Sequence, residues 1–283
     1  DEEPRQMKPP LKWAGGKTAL LPEILPRLPP KIRTYYEPFV GAGAVFFALA
    51  NEKRFERAVI GDSNVDLMLT YETIRVKHSA VIAALHALKT RHTAEGEDCY
   101  YDVRASHPKK SVDRAARFIY LNRTCFNGLY RVNKKGLFNT PFGKYTNPTI
   151  CDEDALLAAA KILCHVRTID RDFVMTVSDA RKGDVVYCDP PYTPLSPTAS
   201  FTTYTPGGFG AKDQERLRDV ASTLIKRGVH VLLSNSDTPF TRELYRGREF
   251  KIESVEAPRR INSKGGKRGN VGELLISGIV GRR

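Results

Sequence analysis

The chain has 283 residues, with 45 Lys and Arg against 32 Asp and Glu, giving a formal net charge of +13. At 41% hydrophobic and 27% charged residues it is neither disordered, collagen-like nor a coiled coil, and it can bury a sizeable core. The longest apolar run, Val45 to Ala50, is far short of the roughly 18 residues that would span a membrane, and the five cysteines (Cys99, Cys125, Cys151, Cys164 and Cys188) lack metal or disulfide-framework spacing. The cysteine pattern fits a reducing, cytoplasmic setting.

The N-terminal stretch DEEPRQMKPP has no apolar signal region; Met7 reads as a start and residues 1–6 as a leader. The first segment, to residue 66, predicts a β-prone stretch over Tyr35 to Val40 that ends in Gly41-Ala42-Gly43. A helix then starts over Ala44 to Ala50, and a second strand, Arg57 to Gly61, is closed by Asp62. Strand, glycine turn, helix, strand and acid make one βαβ unit of a doubly wound, mostly parallel sheet.

The middle segment, residues 67–150, breaks this pattern. Ser79 to His92 and Ser111 to Leu121 predict helices. Gly128 to Asn133 and Leu137 to Phe142, around Lys134-Lys135-Gly136, predict a β-hairpin. This segment reads as a mainly helical insertion bearing a hairpin. Residues 151–283 return to α/β patterning: a helix capped by Asp152 and running through Leu163, a strand Asp184 to Cys188, a helix Asp213 to Arg227 stopped by Gly228, a strand His230 to Ser234, and a closing pair, Lys251 to Glu256 with Glu273 to Ile279.

The positive charge is local. Arg104 to Asn147 holds ten basic residues against Asp113 alone, and Pro258 to Asn270 holds Arg259, Arg260, Lys264, Lys267 and Arg268 with no acid. Aromatic and amide residues interleave the first run, a mixture that suits phosphate contacts, stacking and base-edge hydrogen bonds on a nucleic acid.

Three motifs bear on chemistry. A glycine turn after a strand lets a ligand approach the backbone, and an acid 21 residues on, Asp62, suits ribose hydroxyls. The turn is not G-x-G-x-x-G, because Phe46 stands where the third glycine belongs; a short turn without a pyrophosphate cradle favours S-adenosyl-L-methionine over a dinucleotide. Gly15-Gly16-Lys17-Thr18 is not a phosphate loop, since Leu11 replaces the required glycine and no strand precedes it. Asp189-Pro190-Pro191-Tyr192 directly follows a buried-type strand. An exocyclic base amine is a poor nucleophile because its lone pair is delocalised. The Asp189 carboxylate and the Pro190 carbonyl can accept its two N–H bonds, Tyr192 can stack on the base, and Pro190 and Pro191 stiffen the loop.

These motifs, in this order, resemble the amino-methyltransferases of DNA, alpha group. LKWAGGK, YEPFVGAGAVF, YLNRTCFNGLYRVNKKGLFNTPFGKY, VVYCDPPYTPLS, LLSNSDT and RRINSKGGKR resemble the DNA adenine methyltransferase (Dam) family over nearly the whole chain after Met7. The resemblance implies a Rossmann-like S-adenosyl-L-methionine-dependent fold over residues 7–66 and 151–283, with residues 67–150 as the target-recognition unit. It implies that Trp13, Lys17, Phe39, Gly41, Gly43, Asp62 and Asp189 hold the cofactor, and that Asp189 and Tyr192 form the catalytic pocket. Lys12, Leu129, Arg131 and Pro141 fall where such enzymes read their site, Arg131 on a guanine edge. Phe126 stands at the place of an intercalating tyrosine, and Arg123, Asn122 and Asn127 would touch phosphates or bases. Tyr145 and the basic loop Arg259, Arg260 and Lys264 complete the DNA-binding set. The implied reaction is N6 methylation of a flipped-out adenine in double-stranded DNA, commonly in GATC, without metal, by a prokaryotic or phage monomer. The alternatives are cytosine N4, adenine in RNA, a protein glutamine side chain, or an inactive DNA-binding regulator. Trp13 could instead anchor a core, Phe126 and Tyr145 could pack inside the hairpin, and Cys188 reads as packing.

Overall fold

The computed structural model describes residues 7–13, 15–133, 135–192, 208–256 and 272–278. Seven strands form one sheet in the order β3-β2-β1-β4-β5-β7-β6. They are β1 (Ile32–Glu37), β2 (Phe55–Gly61), β3 (Val166–Ile169), β4 (Val185–Cys188), β5 (His230–Ser236), β6 (Phe250–Val255) and β7 (Glu273–Gly278). The first five run parallel, while β7 lies antiparallel between β5 and β6. The closing pair therefore stands as its residues predict.

Side-chain alternation divides the sheet into two faces. Tyr35, Ile60, Tyr187 and Leu232 join one apolar cluster, and their neighbours Tyr36, Val59, Val186 and Leu233 join the other. Cys188 lies in the second cluster, so packing is its role. All four residues of β4 are buried, as a central parallel strand covered on both faces requires.

The helices are α1 (Leu21–Ile24), α2 (Ala44–Asn51), α3 (Val65–Glu95), α4 (Glu97–Ala105), α5 (Ser111–Thr124), α6 (Glu153–Leu163), α7 (Phe173–Val177), α8 (Ala211–Lys226) and α9 (Pro239–Leu244). Side chains cap several of them: Asn64 accepts from the Leu67 amide, and Asp152 from that of Ala155 as expected. Tyr71, Tyr100 and Tyr120 of α3–α5 bury in the same cluster as Tyr35 and Tyr187 of the sheet, so the helical segment shares the core of the sheet.

Four features differ from the sequence reading. The predicted helix from Ser79 is the second half of α3, which is interrupted at Lys77 (φ −141°, ψ 32°). Strand β3 and the short helices α1, α4, α7 and α9 carry too few residues for a clear period and went unpredicted. The hairpin predicted over residues 128–142 is not a pair of strands: among the described residues of 125–142 the pairing is limited to the isolated bridges Cys125–Phe142 and Val132–Phe138. Finally, strand β1 begins three residues before Tyr35 and ends at Glu37.

Candidate active site and nucleic-acid surface

The sheet order reverses between β1 and β4, and in open α/β sheets the crevice beyond such a switch point receives ligands. A cavity of about 290 Å³ lies there. Its walls come from the β1 loop (Glu37, Phe39, Gly41, Gly43), the end of β2 (Asp62, Asn64), the β4 loop (Asp189 to Tyr192) and the N-terminal Trp13 and Lys17. Every residue predicted for catalysis or cofactor binding thus lines one cavity.

The glycine loop is tightly made. Gly41 has φ +50°, and a side-chain carbon there would lie 2.8 Å from Cδ1 of Trp13. Its amide donates to Asp62 Oδ2 (3.1 Å) and its carbonyl accepts from the Tyr71 hydroxyl (2.8 Å). Gly43, at φ +73°, caps α2 in the left-handed region. Asp62 also accepts from the Asn64 amide (2.9 Å); burial pushes its carboxyl up to about 6, against those two amide bonds. Trp13 stacks on Tyr130 (5.9 Å between centroids, 19°) and on Phe118 (6.4 Å), so it anchors the core and lines the cavity at once.

The β4 loop carries a dense polar cluster. Lys17, with a side chain 7% exposed, places Nζ 3.0 Å from Asp189 Oδ1 and donates to the Gly15 carbonyl (3.0 Å). The same Asp189 oxygen accepts from Ser234 Oγ (2.7 Å), which pairs with the Tyr187 hydroxyl (2.9 Å). Burial raises the Asp189 carboxyl above its ordinary range, and the Lys17 ammonium works against that shift. The Tyr192 hydroxyl donates to Glu273, and Lys17 lies 4.6 Å from the centre of the Tyr192 ring. The Pro191 carbonyl accepts from Gln214 (3.0 Å), which accepts in turn from Asn235 (3.1 Å). Behind the loop, Glu37 is 2% exposed and accepts from the Tyr35 hydroxyl (2.6 Å). Burial pushes its carboxyl up to about 8, and the nearby Asp189 adds to the shift.

Sequence reasoning missed Ser234, Gln214 and Glu273. They sit on β5, α8 and β7, far along the chain from Asp189, and only the strand order brings them to it. Ser234 and Asn235 fall in the quoted segment LLSNSDT, the one signal that pointed there.

A second surface adjoins the cavity through Lys12 and Trp13. Lys12 is exposed, with Nζ 5.1 Å from the centre of the Tyr145 ring, and its backbone is held from both sides by the Asn122 amide (2.8 and 2.7 Å). Asn122 is buried in that role and is not a surface contact. Phe126 is 50% and Tyr145 36% exposed, so neither packs inside the hairpin. Asn127 is exposed at φ +55°, Pro141 is exposed, and Leu129 is half-buried. Arg131 is exposed and oriented by Asn139 (2.9 Å). Arg123 donates to the Pro10 carbonyl (2.6 Å), which ties it to the N-terminal segment. Arg117 likewise serves the carbonyls of Val103 and Arg104, and Arg114 pairs with Asp66. Arg259, Arg260 and Lys264 lie outside the described residues. No group of three or more His, Cys, Asp or Glu suited to a metal occurs among the described residues, and none of the described helices is long and apolar enough to cross a membrane.

The mostly parallel seven-stranded sheet, with an acidic Pro-Pro-Tyr loop at its switch point, is that of a Rossmann-like methyltransferase. The chain belongs to the D12 class N6 adenine-specific DNA methyltransferases, whose family model matches residues 13–261. It is 44% identical over 287 residues to the type II methyltransferase M.MjaIII of Methanocaldococcus jannaschii, covering 96% of this chain and 99% of that one. It is 41% identical over 280 residues to the type II methyltransferase M1.LlaDCHI of Lactococcus lactis subsp. cremoris, covering 96% and 95%. The DNA adenine methylase of Escherichia coli K12 is 40% identical over 268 residues, covering 94% and 93%. The chain is accordingly an adenine-specific DNA methyltransferase.

Proposed function

We propose that the protein transfers a methyl group from S-adenosyl-L-methionine to N6 of an adenine flipped out of double-stranded DNA, within GATC. The observation that carries this reading is Asp189 at the end of β4, facing the glycine loop of β1 across one cavity and held by Lys17 and Ser234.

The cavity suits a cationic sulfonium ligand. Among the described residues its walls carry the carboxyl groups of Glu37, Asp62 and Asp189 and one ammonium, that of Lys17, which is committed to Asp189; with Glu37 held protonated by burial, Asp62 and Asp189 are the acids that face a cation. A polyphosphate would meet acids rather than donors. Asp62 would hold the ribose hydroxyls, Phe39 with Gly41 and Gly43 the remainder of the cofactor, and Trp13 its adenine. When bound, the cofactor supplies an electrophilic methyl carbon.

The remaining work falls to this chain. The target amine is inaccessible inside the stack, so the base must leave it. The exposed Phe126 ring is suited to fill the vacated space, and the phosphate contacts needed to open the duplex come from the basic surface. The Asp189 carboxylate and the Pro190 carbonyl accept the two amine N–H bonds and return the lone pair to nitrogen; Tyr192 stacks on the ring. As the carbon–nitrogen bond forms, the methyl carbon would part from the sulfonium sulfur, which keeps the electron pair as a neutral thioether, and the amine loses one proton. Asp189, its basicity raised by burial, is placed to receive it. Residues 67–150, with Lys12, act as the recognition unit, in which Leu129, Arg131 and Pro141 read bases while Asn127 and Tyr145 support the opened duplex. Arg123 contributes by fixing the N-terminal segment that carries Lys12.

Asp189→Ala should lower the methylation rate by at least about a hundredfold while leaving duplex binding within a few-fold. Digestion of treated DNA to nucleosides identifies the product. N4-methylcytosine, or a near-normal rate for the variant, defeats the proposal.

A further inference from the structure

The loop proposed to read DNA does not support itself. Near its tip the arms are joined by backbone bonds, Asn139 N–H to the Arg131 carbonyl (3.0 Å) and Asn133 N–H to that of Leu137 (2.8 Å). At its base the Phe126 amide donates to the Pro141 carbonyl (2.9 Å). At the level of Leu129 and Thr140, among the described residues, a side chain makes the link: Thr140 Oγ1 donates to the Leu129 carbonyl (2.6 Å). A regular antiparallel pair would carry backbone bonds there, and arms without them hold their register weakly.

What holds that level comes from α4. Tyr100 is fully buried, with its ring 5.3 Å from that of Phe142 and 6.5 Å from that of Tyr120. Its hydroxyl lies 2.8 Å from the Thr140 carbonyl oxygen and 3.3 Å from that of Pro141. Arg104, one turn further along α4, places Nη1 3.2 Å from the same Thr140 oxygen. Two side chains of one helix thus set the height of the Thr140–Pro141 backbone. Through Thr140 Oγ1 that fixes Leu129, and through the shared Pro141 carbonyl it fixes Phe126.

We infer that Tyr100 is a positioning residue for sequence discrimination: its hydroxyl holds Pro141, Leu129 and Phe126 at the spacing that base readout requires. This rests on the proposed DNA reading of the hairpin. Tyr100 is fully buried and lies outside the lining of the cavity, so its loss should act on choice of site and not on cofactor binding. Tyr100→Phe keeps the packed ring and removes only the donor, leaving the Thr140 carbonyl with the bond from Arg104.

The test compares kcat/KM on a GATC duplex with kcat/KM on duplexes that differ by one base pair, for the wild type, Tyr100→Phe and Arg104→Met. If the wild type prefers another tetranucleotide, that one replaces GATC. For Tyr100→Phe, kcat/KM on the preferred site should fall about tenfold, the size of one lost buried hydrogen bond. It should fall less on the altered sites, so that discrimination narrows, while S-adenosyl-L-methionine affinity stays unchanged by calorimetry. Arg104→Met should move the ratio in the same direction. It removes its bond without creating a core defect, and it decides the matter should Tyr100→Phe fold poorly. A merely structural role would lower all substrates equally; discrimination unchanged within twofold in both variants overturns the inference. A wild type that yields no N6-methyladenine removes the function and this inference together, whereas a wild type that methylates beside equally selective variants removes the inference alone.

Discussion

Glu37 is a carboxylic acid held at about 8 beneath the loop that follows β4, because burial disfavours its charge. The linkage has a definite sign. Its native form binds a proton more tightly than its unfolded form, so its contribution to stability is complete below the ordinary carboxylate range and is lost as pH rises toward 8. Glu37→Gln should therefore flatten the fall of Tm with pH between about 5 and 8 relative to the wild type; parallel melting curves in that window would exclude a buried, protonated Glu37. Lys17 acts on Asp189 in the opposite sense, by favouring the charged carboxylate. Lys17→Met should move the acid limb of the kcat–pH profile to higher pH, since fewer Asp189 side chains are ionised at a given pH; an unmoved limb would mean that the ion pair does not tune the acceptor. Asp189 and Tyr192 were legible in the sequence because four adjacent residues carried the signal. Glu273, which accepts from Tyr192, was not, since one glutamate at a strand start has no local signature.

At the scale of elements, the β1 loop couples backbone conformation to the cavity wall. Gly41→Ala would force a side chain into a left-handed position at a cost of about 1–2 kcal/mol and drive a methyl group against the Trp13 indole. Cofactor KM should rise at least about tenfold, with a lowered Tm, and binding by fluorescence quenching of Trp13, the one tryptophan of the chain, reads it directly. The βαβ unit was predictable here because glycine, helix start and Asp62 fall in fixed order. The hairpin was only half legible. Gly136 and the flanking residues announce a turn, but the support of the arms comes from Tyr100 and Arg104 about 40 residues away, a link that no periodicity records. Likewise the front half of α3, residues 65–76, lay hidden behind the break at Lys77, where the helical spacing is interrupted.

Across the whole molecule, the basic run of residues 104–147 is less available than its count suggests. Arg114, Arg117 and Arg123 are spent on Asp66 and on backbone carbonyls, and Arg104 on Thr140 and the Tyr101 ring. Among the described residues of the run this leaves Lys109, Lys110, Arg131, Lys135 and Lys144. With Arg131 given to base readout, the four lysines displacing counterions give this surface a slope of log K against log salt of about −3.6, by the rule of about −0.9 per phosphate neutralised. Reversing Lys109 and Lys110 to Glu should flatten the measured slope by about 2; Arg117→Gln should instead act mainly on stability. Charge counted along a chain overestimates an electrostatic footprint whenever arginines tie loops together.

The tyrosines of α3, α4 and α5 share one apolar interior with the strands. The helical segment in such an architecture is not a detachable cassette. Grafting the helical segment of a relative onto this sheet would expose cut hydrophobic surface on both pieces. On the proposed reading of the hairpin, new specificities should be reached by exchanging a few of its side chains above an unaltered interior, and chimaeras built at residues 67 and 150 should be recovered as insoluble protein.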